Sequence, residues 1–259
     1  MPTQLVFRLC LLYLVPMLGV IIIPSLFGVS ASTRGRAKRL IKGGYLVEIV
    51  DIYERTPCPF FVKILSGRSE ERLYKTSKLA MSFNEKEVLN LVDEKIEKLL
   101  SLGIEKMILL GLGFGSNVAF RYCELFKRDK VVALYSWSPH LIFPLLPDIT
   151  SQASIKEPRL EALPSNLRTV IFHGGSDTVV LPGNLEVAMQ AAKSNFGIEV
   201  VVYENARHAF DSKCIQGFWP NMLYWGSVAN REAYRLSWER VESDLSAMSR
   251  NLDKSSLSR

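Results

Sequence analysis

The chain has 259 residues, which suits one large buried core and, by length, a single domain. Hydrophobic residues make up 48% and charged residues 22%, so a disordered or collagen-like chain is excluded. An excess of 32 Lys and Arg over 26 Asp and Glu, a formal +6, is too small for this length to mark a nucleic-acid-binding protein, and no nucleic-acid partner is expected.

Residues 5–29 are strongly apolar, follow or include Arg8, and end near the small-residue pattern Val29-Ser30-Ala31. One reading is a targeting segment or anchor, which implies a secreted or membrane-anchored protein. Pro16 and Pro24 interrupt a spanning helix. The β-branched run 19–24 also suits a buried parallel strand. That second reading leaves 1–18 as an apolar N-terminal segment and 19–248 as the domain, with 249–259 a polar tail that frays. It goes with a cytoplasmic location and no membrane partner.

The chain then alternates. A loop at 25–28 leads to a basic helix over 30–42, closed by Gly43-Gly44. Its run Arg34, Arg36, Lys38, Arg39 and Lys42 reads as a solvated face. A strand follows at 45–50. The helix over 84–102 carries Val88, Leu91, Val92, Ile96 and Leu99 at helical spacing, with Gly103 as its cap. A strand at 107–110, a glycine turn and a helix over 116–127 come next, then a strand at 131–136. A stretch with Pro139, Pro144, Pro147, Pro158 and Pro164 is too long for a plain connector and reads as a lid or pocket wall. Strands at 168–172 and 198–203 flank a helix over 184–196, and a helix over 228–248 closes the domain. This order predicts an α/β fold, a mostly parallel central sheet with helices on both faces, that binds ligands at the carboxyl ends of its strands.

Cys10, Cys58, Cys123 and Cys214 show no metal-ligand spacing and no CxxC pair, so free thiols and no metal are expected. Gly111-Leu-Gly113 opens a G-x-G-x-x-G pattern, but Ser116 replaces the third glycine and the next strand ends without an acidic residue. No dinucleotide or other cofactor is expected.

Three loops at strand ends carry the chemistry: Gly111-Leu-Gly-Phe-Gly115, His173-Gly-Gly-Ser-Asp177, and Tyr203-Glu-Asn-Ala-Arg-His208 with Phe210 just beyond. The first has the strand-turn-helix setting of a nucleophile elbow, Gly-x-Ser-x-Gly, but its central residue is Gly113, which has no attacking atom. The order elbow, Asp177, His208 is that of the hydrolase triad. Asp177 also fits ordinary turn chemistry, and His208 a surface loop. Ser116 lies at the wrong angle for a nucleophile. Ser25 and Ser138 read as cleft-lining hydrogen-bonding residues, His173 as structural, and His140 as uninformative. Phe210, with Phe218, Trp219, Tyr224 and Trp225, reads either as an apolar pocket wall or as packing under the last helix.

Taken together these segments resemble the dienelactone hydrolase family of the α/β-hydrolase superfamily. The residues that carry the likeness are Gly19-Val-Ile-Ile-Ile-Pro-Ser-Leu-Phe-Gly28, Gly43-Gly-Tyr-Leu-Val-Glu-Ile-Val-Asp-Ile-Tyr53, His173-Gly-Gly-Ser-Asp177, His208-Ala-Phe210 and the last helix with Trp238. The likeness implies an ester or lactone hydrolase with Asp177 and His208 in the triad. It also implies an oxyanion hole from the N–H groups of Leu26 and Phe114. The family's Cys or Ser is Gly113 here, its following glycine is Ser116, and its first-loop glutamate is Ser25. The expected protein is a degenerate, catalytically weak or inactive relative that binds an ester-like, lactone or carboxylate ligand, or a protein partner. The alternative is an active hydrolase using His208-activated water or a non-standard nucleophile.

Overall fold

The computed structural model describes residues 18–55, 75, 78–80, 82–126, 129–142, 154–181, 183–211 and 231–257. The strands are β1 (Leu18–Ile23), β2 (Leu46–Ile49), β3 (Lys106–Leu112), β4 (Val131–Trp137), β5 (Arg168–Gly174) and β6 (Ile198–Tyr203). The helices are α1 (Ala31–Lys42), α2 (Glu85–Ser101), α3 (Phe114–Phe126), α4 (Asn184–Ser194) and α5 (Arg231–Leu257), with a short 3₁₀ turn at Leu160–Ala162.

All six strands run parallel in the order β2-β1-β3-β4-β5-β6. β1 is buried at every position, as a β-branched run covered on both faces requires. Residues on α2, α3 and α4 close one face of the sheet, through Val92, Val118 and Ala188 among others. Residues on α1 and α5 close the other, through Leu40, Trp238 and Val241. Trp137 on β4 stacks on Trp238 at 5.2 Å between ring centroids, which fixes α5 to the sheet. The chain leaves β1 toward β2 on one side and returns to β3 on the other. The strand order therefore reverses between β1 and β3, where open α/β sheets have their ligand crevice.

Local signals set the helix starts. The Ser30 hydroxyl accepts from the Thr33 N–H at 3.2 Å, and the Asn84 side chain from the Glu87 N–H at 3.2 Å. Three expectations are corrected. The helix after the glycine turn begins at Phe114, not at 116, because the turn is one residue long. The closing helix runs on through Leu257, so 249–257 is helix rather than a fraying tail. The basic run on α1 is not uniformly solvated. Arg36 is buried and ion-paired with Asp211, and Arg39 pairs with Glu242 while lying over the Trp238 ring at 5.1 Å.

The middle of the expected lid or wall, residues 143–153 with Pro144 and Pro147, falls outside the described residues. So do Cys10, Cys58, Cys214, Phe218, Trp219, Tyr224 and Trp225. Among the described residues, no helix is long and apolar enough to cross a membrane.

Candidate active site

The turn between β3 and α3 is shaped by close backbone approaches. A Cβ at position 111 would lie 2.4 Å from Ser116 Cα, and one at position 115 would lie 2.2 Å from the Ile23 carbonyl oxygen. Only glycine fits at either position. Gly113 differs. Among the described residues beyond its chain neighbours, a Cβ there would meet nothing nearer than the Ser25 Cβ at 3.6 Å, an ordinary contact. What position 113 demands is conformational: its φ is +53°, a left-handed value that glycine adopts without steric cost. Its N–H donates to the Trp137 carbonyl at 2.8 Å, which ties the apex to the end of β4.

Two further glycines bring the acid and histidine loops together. Cβ atoms at positions 174 and 175 would collide with Ala206 O at 2.6 Å and Glu204 Cα at 2.7 Å. With glycine in both places, the Ser176 N–H reaches the Ala206 carbonyl at 2.9 Å. Asp177 is thereby delivered to His208, whose Nδ1 lies 2.9 Å from Asp177 Oδ2. The other carboxylate oxygen accepts N–H groups from Val179 at 2.9 Å and Val180 at 3.3 Å. The acid is held from both sides. With Nδ1–H donating to the carboxylate, Nε2 is the free basic atom of the ring. Asp177 has no exposed side-chain surface, whereas His208 keeps 13%, so the ring is the dyad's solvent-facing member.

Burial works against charge on both groups, but their mutual attraction and hydrogen bond outweigh it. The His208 pKa is raised above 6.5 and the Asp177 carboxyl is held well below the usual carboxylate range. Asp211 adds to the pull on His208 and also anchors the loop that carries it. The Arg36 guanidinium pairs with the Asp211 carboxylate, donates to the Asp211 carbonyl at 2.9 Å and to the Ser32 hydroxyl at 2.8 Å.

His140, read from sequence as uninformative, belongs to the site. Its ring meets the His208 ring edge-on, with centroids 5.4 Å apart and planes at 75°. Its backbone is clamped by Asn117, one turn into α3: the Asn117 Oδ1 accepts the His140 N–H at 3.2 Å, and the Asn117 Nδ2 donates to the His140 carbonyl. On the far side, Asn184 Oδ1 accepts from the N–H groups of Leu141 at 2.5 Å and Ile142 at 3.2 Å. The elbow helix, the segment after β4 and the dyad are thus one contact chain. The sequence did hold a signal: Asn117 lies inside the apolar stretch of α3, and a buried amide must find partners.

Burial and the neighbouring His208 push the His140 pKa down to about 3. An NMR titration is expected to show His208 changing charge above pH 6.5 and His140 staying neutral until about pH 3. The signs of the linked stability are opposite. The His208 contribution is complete below pH 6.5 and is lost as pH rises through its folded pKa. The His140 contribution is complete above pH 6.5 and is lost as pH falls toward 3. Thermal unfolding of His208→Gln should therefore flatten the alkaline limb, and His140→Gln the acid limb.

The remaining expected residues divide. Phe114 is the first residue of α3, where an N–H has no acceptor within its own helix, as an oxyanion donor requires. Leu26 lies in the loop after β1, its carbonyl held by the Tyr53 hydroxyl at 2.5 Å. Ser25 stands beside the apex, and its Oγ accepts from the Phe27 N–H at 3.4 Å. Phe210 is fully buried in the cluster beneath α5, edge-on to Tyr203 at 5.3 Å, so it packs the core. Cys123 is buried within α3, and burial pushes its thiol up to about 12, which leaves it inert as a nucleophile. His173 is buried at the end of β5 with Nδ1 on its neighbour's carbonyl at 2.9 Å. Among the described residues, no three His, Cys, Asp or Glu side chains are grouped to hold a metal ion.

A parallel sheet with the elbow turn at β3 and an Asp–His pair on the loops after β5 and β6 defines the α/β-hydrolase fold. Solved structures agree. A Klebsiella pneumoniae protein assigned as a dienelactone hydrolase superposes with a TM-score of 0.68 at 21% identity, over 90% of this chain and 87% of the other. A dienelactone hydrolase-like promiscuous phosphotriesterase from metagenomic libraries gives 0.54 at 16% identity, over 88% and 85%. A Saccharolobus solfataricus protein assigned as a carboxymethylenebutenolidase is 22% identical over 91% of each chain. The sequence profile of the dienelactone hydrolase family matches residues 13–249, and the chain belongs to that family.

Proposed function

We propose that this protein is a catalytically weak dienelactone hydrolase relative that binds an ester-like, lactone or carboxylate ligand against the His208–Asp177 dyad. The observation that carries this reading is a formed dyad, Nδ1 to Oδ2 at 2.9 Å, in a chain whose elbow apex is glycine. A nucleophile, base and acid act as a unit, and removing the nucleophile from a well-studied triad costs on the order of 10⁶-fold in turnover. Substrate binding and an oxyanion hole survive such a loss. Here the raised His208 pKa adds a cationic partner for a carboxylate at mildly acidic pH, and the first N–H of α3, on Phe114, has no acceptor within its own helix. The names borne by the relatives support a carbonyl substrate class.

The test is titration of the purified protein with benzoate while the His208 ring is followed by NMR. A saturable shift that disappears in Gly113→Trp, a variant that fills the apex, supports the reading. An unmoved His208 resonance at high benzoate would remove it.

A further inference from the structure

We infer that the Ser25 hydroxyl stands in for the missing elbow nucleophile and forms a covalent acyl intermediate with ester substrates. The inference rests on the proposed ligand site, because the same carbonyl must reach both Ser25 and the dyad. Its basis is the position of Ser25. Among the described residues other than its chain neighbours, the one heavy atom within 4 Å of a Cβ placed at position 113 is the Ser25 Cβ, at 3.6 Å. Residue 25 ends the approach from β1, whose last residues pair with β3 through Ile23↔Gly111, so the two loops emerge side by side at the point where strand order reverses. The position an elbow side chain would take is thus bordered by a hydroxyl-bearing residue of the neighbouring loop.

The state of that hydroxyl fits the role. Ser25 is neither buried in the core nor committed to a strong partner. Its only hydrogen bond among the described residues is the long contact from the Phe27 N–H at 3.4 Å. Its backbone carbonyl, by contrast, is fixed by the Gly28 N–H at 2.8 Å, so the main chain is held while the side chain is free to rotate. By comparison, the hydroxyls of Ser116, Ser136 and Ser138 are each fully enclosed, out of reach of a ligand. The residue after Ser25 is Leu26, so an N–H follows the attacking hydroxyl just as the Phe114 N–H follows the apex. The oxyanion donors therefore flank either origin of attack.

The step balances without any further reagent than water. His208 Nε2 accepts the Ser25 hydroxyl proton as Oγ bonds to the carbonyl carbon, and the carbonyl π pair moves to its oxygen. Collapse restores the carbonyl and breaks the bond to the alcohol oxygen, which takes the proton from His208. Water then enters by the same route, giving up its proton to His208, and releases the acid and the free Ser25 hydroxyl.

The experiment uses the full chain with 4-nitrophenyl acetate, followed by rapid mixing and peptide mass mapping. The expected result is a burst of nitrophenolate approaching one equivalent, with an acetyl group on Ser25. Ser25→Ala should lose the burst and the acetyl group, and His208→Ala should slow acylation by about 100-fold or more. Ser25→Cys, which preserves the loop, should give an acetyl thioester on the same residue. Acetylation at another residue overturns the inference. So does hydrolysis that depends on His208 but leaves no acyl group, which assigns the reaction to activated water. If Ser25→Ala still moves the His208 resonance with benzoate but wild type shows no acetylation, the inference fails and the binding reading stands. If benzoate moves nothing, the binding reading has failed.

Discussion

Gly113→Cys is expected to raise kcat/KM for a generic aryl ester by about 10³-fold or more over the wild-type protein. The dyad that would activate the thiol is already assembled, with His208 Nδ1 on Asp177 Oδ2 at 2.9 Å. The new Cβ has room among the described residues, where the Ser25 Cβ at 3.6 Å is the nearest atom beyond the chain neighbours. The cost is conformational: a side chain at φ +53° carries about 1–2 kcal/mol of steric strain. The variant should therefore unfold earlier than wild type while gaining activity, the usual relation between strain and chemistry at an elbow. Steady-state hydrolysis with Gly113→Cys and Gly113→Cys/His208→Ala decides the matter. A thiol that gains nothing shows that the pocket has lost its ability to place a carbonyl, however intact the dyad.

Asp211→Ala is expected to destabilise the fold by about 3–5 kcal/mol, measured as ΔG of urea unfolding. The Arg36 and Asp211 side chains are only 7% and 5% exposed, so removing the carboxylate strands a buried guanidinium. The effect reaches the site as well, because Asp211 stands three residues after His208 and fastens that loop to α1. Loss of ester or ligand response should accompany the loss of stability. The paired substitution Arg36→Met/Asp211→Leu should recover most of the stability, since an apolar pair of similar volume replaces a costly ionic one. A single Asp211→Ala change that leaves the unfolding midpoint within experimental error would show that the guanidinium finds other partners.

The alternation of strands and helices was legible because the four inner strands are short apolar runs, buried on both faces, between polar helix starts. The elbow and the acid loop were legible for a related reason. Each contains glycines that the backbone requires, and glycine leaves a mark in sequence. The histidine loop has none and was read from its place after the last strand. What escaped was long-range. Arg36 looked like one more solvated cation until a partner 175 residues away claimed it. His140 looked ordinary because its importance comes from Asn117 and His208, which no local period connects to it. Phe210 could equally have lined a cleft or packed a core, and only its place beneath Trp238 decided between them. Gly113 was set apart from Gly111 and Gly115 in sequence by its central place in the elbow, but that only the outer two are forced by neighbouring backbone needed three dimensions.

Asn117 and Asn184 grip residues 140–142 from two different helices, so this part of the crevice wall is set by the protein's own hydrogen bonds. A guest arriving against it forfeits little chain entropy, and no local folding need accompany its entry. Selection among guests is then left to the rigid outline of the cleft and the spacing of its donors, as in a template cast before use.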